Sequence, residues 1–416
     1  MFGAKTMLNS QLCIKCKGRL MCGLSYCPVL ERHSARKKAA SRIKGKEFYG
    51  SAPPGLLVSW KNYPNLTVSP LSPTTIEPRA EMFDTPENWF GLSDQKIINY
   101  RESLVGAGTK ISVKQASNPD ETLSTIQELV MSSKPVNIEV SLYSEPKLSL
   151  SFDSVSAPTG PNAPLKKLRL TENPKIPQKV DYLNSDVNAK STTAVFELYR
   201  SGFPVSFLYK LLSAGTLGVE KNRRLIPTRW SISAIDSNIS KKLINEKVKF
   251  NQEIGEIKLH QCDYLDNRFS VLLLPREWSF EMLECWLPGG TWTMDASTHL
   301  IIQDHEFYGG RKDYASNITG AYYAARLAVA EYLAEEKRQA AALVFREIGK
   351  DYNLPLGVWV IRETVRKALD SNPLIFYDLP LALKFLGRKL SVPINQYEKK
   401  SKLLDEIRHQ KRLSDF

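Results

Sequence analysis

The sequence predicts an α+β protein in which a mixed sheet packs against helices, one of them long and rich in alanine. Two observations lead to this class. Segments with the apolar patterns of strands occur in groups, and they do not alternate strictly with helices as in a wound α/β sheet. Residues 320–350 have the alanine-rich composition of a long helix. We also expect a small four-cysteine module at the N-terminus and a peptide tail at the C-terminus.

Length and composition limit the class of protein. A chain of 416 residues is long enough for two or three folded units. Hydrophobic residues make up 42% and charged residues 24%, as in ordinary globular proteins. The sequence has no apolar run of about 18 residues and no apolar secretory segment near its start. We therefore expect a soluble, cytoplasmic protein with no membrane partner.

Helix and strand signals follow one another along the first 240 residues. Ser34 can cap a helix that runs to Lys44, and residues 136–143 (VNIEVSLY) alternate as a half-buried strand does. Prolines at 157–179 exclude long regular elements there. We further predict a short strand at 56–60, a capped helix at 84–104, helical structure across 189–213 and a strand at 229–235.

The second half begins with a predicted hairpin at 258–274, turning around Leu265-Asp-Asn, and a strand at 298–303. The Ala-rich helix follows, with Glu335 and Lys337 at its solvated middle. Shorter helices are predicted at 357–370 and 379–390, and an amphipathic stretch at 399–407.

We expect three parts along the chain. Residues 1–50 hold the cysteine module and a basic helix, residues 51–396 form the α+β core, and residues 397–416 form the tail. A further boundary within the core is expected near 150–190.

The cysteine module has the spacing Cys13-x2-Cys16-x5-Cys22-x4-Cys27, followed directly by Pro28. Four thiolates can close a tetrahedral shell around a zinc ion, and such an ion lets a short segment fold with almost no apolar core. A proline after the last cysteine is also typical of iron–sulfur proteins, so a cluster is the alternative. We predict a structural zinc site.

Positive charge is concentrated beside this module. The net charge is +13, and residues 1–50 contain 11 Lys and Arg against only Glu31 and Glu47. A basic face of this kind can neutralise the phosphates of DNA, although a solubilising basic tail is the alternative. A second basic and aromatic group is Arg223-Arg224 with Arg229-Trp230. The predicted DNA-binding residues are Arg32, Arg36, Lys37, Lys38, Arg42, Lys44 and Lys46.

The last seven residues have a spacing typical of peptides that bind the sliding clamp PCNA. A glutamine is followed by an aliphatic residue three positions later and by an aromatic residue six positions later. One 3₁₀-type turn would place Leu413 and Phe416 on the same side, where they can fill one apolar pocket. The predicted clamp-binding residues are Gln410, Lys411, Arg412, Leu413, Ser414, Asp415 and Phe416.

One segment could carry catalysis. Asp304 and Glu306 point to one face if the preceding strand continues, and with Asp295 or His299 they could bind a divalent cation for phosphodiester hydrolysis. The alternative function is therefore a metal-dependent nuclease or another phosphate-chemistry enzyme centred on residues 295–312. Whether the protein is an enzyme stays open.

Together these features resemble the archaeal Nre DNA-repair family, of the NreA type that ends in a clamp-binding motif. The similar segments are 51–71, 157–177, 211–236 and 304–348. The sequence departs from the family at Lys61-Asn62-Tyr63, where a Gly-aromatic turn is more usual.

The resemblance implies that the four cysteines bind zinc. It also implies that this protein responds to DNA damage, is recruited by the sliding clamp and associates with the nucleoid. A further hypothesis is a clamp-tethered adaptor that binds other repair proteins and has little affinity for DNA.

Overall fold

The computed structural model describes most of the chain and confirms the α+β class, with two mixed six-stranded sheets and accompanying helices. Among the helices that it describes, none is long and apolar enough to cross a membrane. The described residues are 15–21, 23, 26–43, 45–146, 148, 159–290, 293, 296–352 and 355–409.

The described residues divide into two compact units, one ending at Asn238 and the other beginning at Ile239. This division falls inside a helix that begins at Thr228. A strand that crosses position 50 belongs to the sheet of the N-terminal unit. The basic helix and the first sheet are therefore parts of one unit.

The N-terminal unit is built on a sheet with the order β1-β5-β6-β4-β3-β2, in which only β4 and β6 run parallel. Its strands are β1 Glu47–Ala52, β2 Gly55–Val58, β3 Asn65–Ser72, β4 Val105–Ser112, β5 Val136–Leu142 and β6 Asn162–Leu170. Its helices are α1 Pro28–Ser41, α2 Asp94–Glu102, α3 Glu121–Met131, α4 Gln178–Ser185, α5 Ser191–Arg200, α6 Val205–Ser213 and the start of α7 Thr228–Glu246.

Alternation along β5 confirms the strand predicted at 136–143. Val136, Ile138, Val140 and Leu142 are buried while Glu139 is exposed, as expected for a strand with one face on the core. The buried face packs with Phe48, Ala107 and Leu129 of neighbouring elements. These contacts form the core beneath the basic helix, since Ala39 of α1 belongs to the same cluster.

Two helix starts in this unit differ from the sequence predictions. Helix α1 begins at Pro28, so Ser34 lies in its interior and the predicted Ser34 cap is wrong. Proline suits a first helical position because its missing N–H would have no partner there. The helix expected at 84–104 is reduced to α2, which Ser93 caps through the N–H of Lys96. Pro86 lies in a short 3₁₀ turn upstream, and Gly91 has a φ of +86°, which explains the late start.

The C-terminal unit has a sheet of order β10-β9-β11-β8-β7-β12, in which β9 and β11 run parallel. Its strands are β7 Ile257–Tyr264, β8 Asn267–Leu274, β9 Ser279–Trp286, β10 Leu300–Glu306, β11 Ala341–Ile348 and β12 Leu374–Phe376. Its helices are the remainder of α7, α8 Gly320–Glu335, α9 Trp359–Leu369, α10 Leu379–Gly387, α11 Ile394–Glu398 and α12 Lys402–His409.

The predicted hairpin at 258–274 is confirmed. Tyr264 pairs with Asn267 across a two-residue turn, and both turn residues, Leu265 and Asp266, have positive φ. This backbone matches the right-handed twist of the paired strands.

The strand predicted at 229–235 is wrong, because those residues belong to α7. Within the seven residues the apolar positions alternate, but the buried positions Ser231, Ile235, Ile239 and Leu243 recur every fourth residue. The helical period therefore appears only over a longer window.

The Ala-rich helix is shorter than predicted. Helix α8 ends at Glu335, Lys337 has a φ of +52°, and the remaining apolar residues form β11. Every residue of β11 is buried between β8 and β9. A strand buried on both faces is continuously apolar, so its sequence resembles that of a buried helix.

Candidate nucleic-acid interface

Two of the four predicted zinc ligands, Cys16 and Cys27, lie among the described residues, while Cys13 and Cys22 lie outside them. Cys16 is buried, and its Sγ accepts a hydrogen bond from the N–H of Met21 at 3.3 Å. This bond lowers the pKa of the Cys16 thiol, and burial opposes the effect in part. Cys27 is half-buried at the N-cap of α1. An amide donor to the sulfur favours the thiolate that a metal needs.

The inner face of α1 is occupied by an ion cluster. Arg32 Nε donates to Glu102 Oε1 at 2.6 Å, and Arg36 Nε donates to Glu102 Oε2 at 2.5 Å. Arg36 Nη2 also donates to the Thr159 carbonyl at 2.7 Å. Glu102 ends α2 and is fully buried. These two guanidinium groups hold α1 on α2. Because they already bind Glu102, they do not face solvent as DNA-binding residues would, although the sequence predicts that role for them.

The outer face of α1 keeps its cations in solvent. Lys37, Lys38, Arg42 and Lys46 are exposed, while Lys44 lies outside the described residues. Arg42 is 3.8 Å from Glu77, an exposed pair whose mutual attraction is weak. We give the name α1 basic face to four exposed cations: Lys37 and Lys38 of α1, Arg42 directly after the helix, and Lys46 directly before β1.

The second basic group separates into a structural pair and a solvent-facing pair. Arg223 donates to the carbonyls of Gly218 and Asn184, and burial lowers its pKa. Arg224 donates to the carbonyls of Lys221 and Arg223. In contrast, Arg229 and Trp230 are exposed on the first turn of α7.

Asp304 and Glu306 lie on one face of β10, as the sequence predicts, and that face is buried. Asp304 Oδ1 is 3.1 Å from Arg311, and Oδ2 accepts hydrogen bonds from the N–H groups of Asn317 and Ile318.

Glu306, at the end of the same strand, is likewise held by an arginine and by a further hydrogen-bond donor. It lies 2.6 Å from Arg326 and accepts a hydrogen bond from the Trp278 indole at 3.2 Å. Arg326 and Arg311 also lie over the ring of Tyr322, whose pKa is raised well above its usual value by burial. These contacts give both carboxylates a structural role: Asp304 fixes the loop that precedes α8, and Glu306 joins β10 to α8 itself.

The partners expected for a metal site at this position are not assembled in the described residues. Asp295 lies outside them, and His299 lines an open cleft of about 680 Å³ together with Arg268, Asp266 and Lys350. Among the residues that the structure describes, no three His, Cys, Asp or Glu side chains form a group that could hold a metal ion.

The segment before the predicted clamp-binding residues is fixed by a buried carboxylate. Glu281 of β9 accepts hydrogen bonds from the N–H groups of Lys402 and Leu403 and from the Ser401 hydroxyl. Burial raises the pKa of Glu281 to about 7, although these hydrogen bonds act in the opposite direction. Ser401 in turn caps α12 through the N–H of Leu404. Residues 410–416 directly follow α12 and lie outside the described residues.

Comparison with known proteins places the chain in one family. The model described as "Archaeal Nre, N-terminal" matches residues 21–293, and the model described as "Archaeal Nre, C-terminal" matches residues 306–416. The C-terminal match includes the predicted clamp-binding residues, whereas the N-terminal match begins after Cys13 and Cys16.

Curated relatives agree with the family models. The chain is 33% identical to DNA repair protein NreB of Archaeoglobus fulgidus over 97% of this chain and 99% of that protein. It is 36% identical to DNA repair protein NreA of the same organism over 91% of this chain and 93% of that protein. It is 37% identical to DNA repair protein NreA of Haloferax volcanii over 79% of this chain and 80% of that protein. No solved structure matches the chain. By both family models and all three relatives, the chain belongs to the archaeal Nre family.

Proposed function

We propose that this protein is a DNA-repair factor that the sliding clamp PCNA recruits to DNA through residues 410–416. The observation that carries the proposal is similarity along most of the chain to three archaeal proteins named DNA repair proteins. Association with the nucleoid and with other repair proteins would follow from this recruitment.

Contact with DNA is assigned to the α1 basic face. Its cations can neutralise backbone phosphates, which gives affinity that depends steeply on salt and little on base sequence. Arg32 and Arg36 are left out of this set because Glu102 binds them inside the unit. They act indirectly, by fixing the helix that presents the exposed cations.

A structural zinc ion is assigned to Cys13, Cys16, Cys22 and Cys27. The hydrogen bond from the Met21 N–H to Cys16 supports this assignment, since it favours the thiolate, and Cys27 lies nearby in sequence at the N-cap of α1. When bound, the ion would cross-link the chain that precedes α1. An iron–sulfur cluster is the alternative, and metal analysis with visible absorption of the purified protein distinguishes the two.

Recruitment by the clamp rests on the spacing of Gln410, Leu413 and Phe416. Because Glu281 and Ser401 hold the start of α12, the following peptide has a fixed point of attachment to the C-terminal unit. The paired state of Asp304 and Glu306 gives no support to the alternative of a metal-dependent nuclease.

A recruitment assay tests this function directly. Circular DNA on beads is loaded with the clamp, washed at moderate salt and incubated with the protein. Wild-type protein should be retained more strongly on clamp-loaded DNA than on bare DNA, and retention of the variant Leu413→Ala/Phe416→Ala should fall to the level of bare DNA. The variant Lys399→Ala/Lys400→Ala is the matched control and should be retained, because its changes lie at exposed positions outside the proposed clamp-binding residues. Equal retention of all three proteins would contradict clamp recruitment.

A further inference from the structure

The N-terminal unit exposes a group of aromatic side chains that the proposed function does not use. Trp60, Tyr63 and Trp230 are 53%, 60% and 50% exposed. The ring centroids of Tyr63 and Trp230 are 6.0 Å apart, and the rings are inclined at 45°. We call Trp60, Tyr63 and Trp230 the aromatic group. Large apolar rings gathered in solvent are typical of a binding surface.

Hydrogen bonds bring the segments of this surface together. Trp60 and Tyr63 lie on the loop between β2 and β3, which is closed by the N–H of Ser59 donating to the Thr67 carbonyl at 2.9 Å. The N–H of Val58 donates to Thr228 Oγ1 at 2.8 Å, so the first turn of α7 is fixed beside the loop. This bond explains how Trp230, distant in sequence, reaches Tyr63.

A third segment joins the surface through the end of β4. The N–H of Val113 donates to the Pro64 carbonyl at 2.9 Å, which places Lys114 next to the loop. Lys110 lies directly across from Thr67 on the neighbouring strand. Both lysines are exposed.

The three segments that bring this surface together carry charge of one sign, although Glu220 lies in a turn that contacts the turn of Lys114. The three segments 59–65, 105–118 and 227–235 contain no Asp or Glu. Their cations are Lys61, Lys110, Lys114 and Arg229, and all four are exposed. A surface with aromatic rings and mainly positive charge is complementary to a polyanion that also offers flat, apolar faces.

We propose that the aromatic group binds single-stranded DNA, with unpaired bases stacked on Tyr63 and Trp230 and the flanking phosphates neutralised by the four cations. Stacking on aromatic side chains tolerates any base, because every base has a π-face. The bases of an intact duplex are already stacked on each other, so this surface distinguishes unpaired DNA from paired DNA. The inference rests on the proposed function, since it assumes that DNA is the partner.

Fluorescence anisotropy with two labelled probes tests the proposal on the full-length protein. One probe is an oligo(dT) strand of about 15 nucleotides, a length within the usual site size of single-strand binders. The other is a duplex of the same length. The variant Tyr63→Ala/Trp230→Ala should bind the single strand about 10- to 100-fold more weakly, as expected for one or two lost stacking contacts. Its affinity for the duplex should change less than about twofold.

Two further variants make the result specific. Tyr63→Phe/Trp230→Phe retains the rings and should restore most of the single-strand affinity. Tyr143→Ala/Tyr182→Ala removes two rings of similar exposure elsewhere on the same unit, 64% and 60% exposed, and should bind both probes as the wild type does.

The outcomes separate the two proposals. Wild-type protein that binds neither probe at low salt would overturn the assumed DNA partnership and, with it, this inference. Wild-type protein that binds DNA, with single-strand affinity unchanged in Tyr63→Ala/Trp230→Ala, would overturn the inference alone. A surface built for a protein partner would give that second outcome.

Discussion

Arg32 of α1 donates from its Nε to a carboxylate oxygen of Glu102 at 2.6 Å, and both side chains are buried. Since Arg36 binds the other oxygen of the same carboxylate, one acidic residue holds two cations of the helix. The cations of the basic helix therefore have two roles. The inner cations fix the helix to α2, and the outer cations are exposed and can bind a polyanion.

Removal of Glu102 should destabilise the N-terminal unit. Glu102→Ala leaves two buried guanidinium groups without their carboxylate, and breaking a buried pair in this way costs about 3–5 kcal/mol. We expect a lower unfolding midpoint in guanidinium chloride. Glu139→Ala removes the exposed partner of Arg169, 3.7 Å away, and should change the stability by less than about 1 kcal/mol. Similar effects of the two changes would contradict the structural role of the inner cations of α1.

The α1 basic face should set the salt dependence of duplex binding. For Lys37→Ala/Lys38→Ala, the slope of log affinity against log salt should become shallower by about 2, since each phosphate contact contributes about 0.9. Anisotropy titrations at several salt concentrations measure this slope. The control Lys399→Ala/Lys400→Ala removes two neighbouring exposed lysines of the C-terminal unit and should leave it unchanged. Equal slopes for wild type and Lys37→Ala/Lys38→Ala would exclude this face as the DNA contact.

Ionisation of Glu281 should make stability fall as pH rises from about 4.5 to 7. Its pKa is raised by burial from 4.5 to about 7, so in this range the unfolded chain releases a proton that the folded chain keeps. The contribution is about 3 kcal/mol across the full range.

The measurement is the denaturation midpoint at several pH values. Glu281→Gln should flatten the pH dependence, because its amide does not titrate. Its single carbonyl oxygen can replace only one of the two carboxylate oxygens that accept the Lys402 and Leu403 N–H groups, so the variant should also be less stable at every pH. Glu139→Gln, at an exposed position, should retain the wild-type dependence. Parallel curves for wild type and Glu281→Gln would show that the buried carboxylate is ionised throughout.

Loss of the cysteines should have a local effect. Cys13→Ser/Cys16→Ser should abolish bound zinc, measured by atomic absorption. Helix α1 from Arg32 onward should keep its hydrogen-exchange protection, because Glu102 holds it independently of the metal. Loss of protection across the whole N-terminal unit would show that the metal stabilises more than its own segment.

Local patterns in the sequence were sufficient for several elements. The alternation along Val136–Leu142 and the turn at Leu265 and Asp266 identify a strand and a hairpin, because each signal is complete within a few residues. The sequence of the buried strand Ala341–Ile348 looks like a continuation of the preceding helix, because a strand buried on both faces shows no alternation of apolar and polar residues.

The side-chain partners at the candidate site could not be predicted from the sequence, because they are far apart along the chain. Glu102 is 70 residues from Arg32 along the chain, so nothing in the basic helix indicates that two of its cations are already neutralised. In the same way, Trp230 meets Tyr63 because the fold brings the first turn of α7 beside the β2–β3 loop, where Val58 donates a hydrogen bond to Thr228. The sequence shows that Asp304 and Glu306 alternate along a strand. It does not show their partners Arg311 and Arg326, because only the fold brings these arginines to the strand.

Calorimetric titration of purified PCNA with the full-length protein, and with a version that lacks residues 410–416, tests the central claim most directly. The account predicts binding in the micromolar range for the full chain and none for the truncated chain. Equal binding of both versions, or no binding by either, would contradict recruitment through the C-terminal residues.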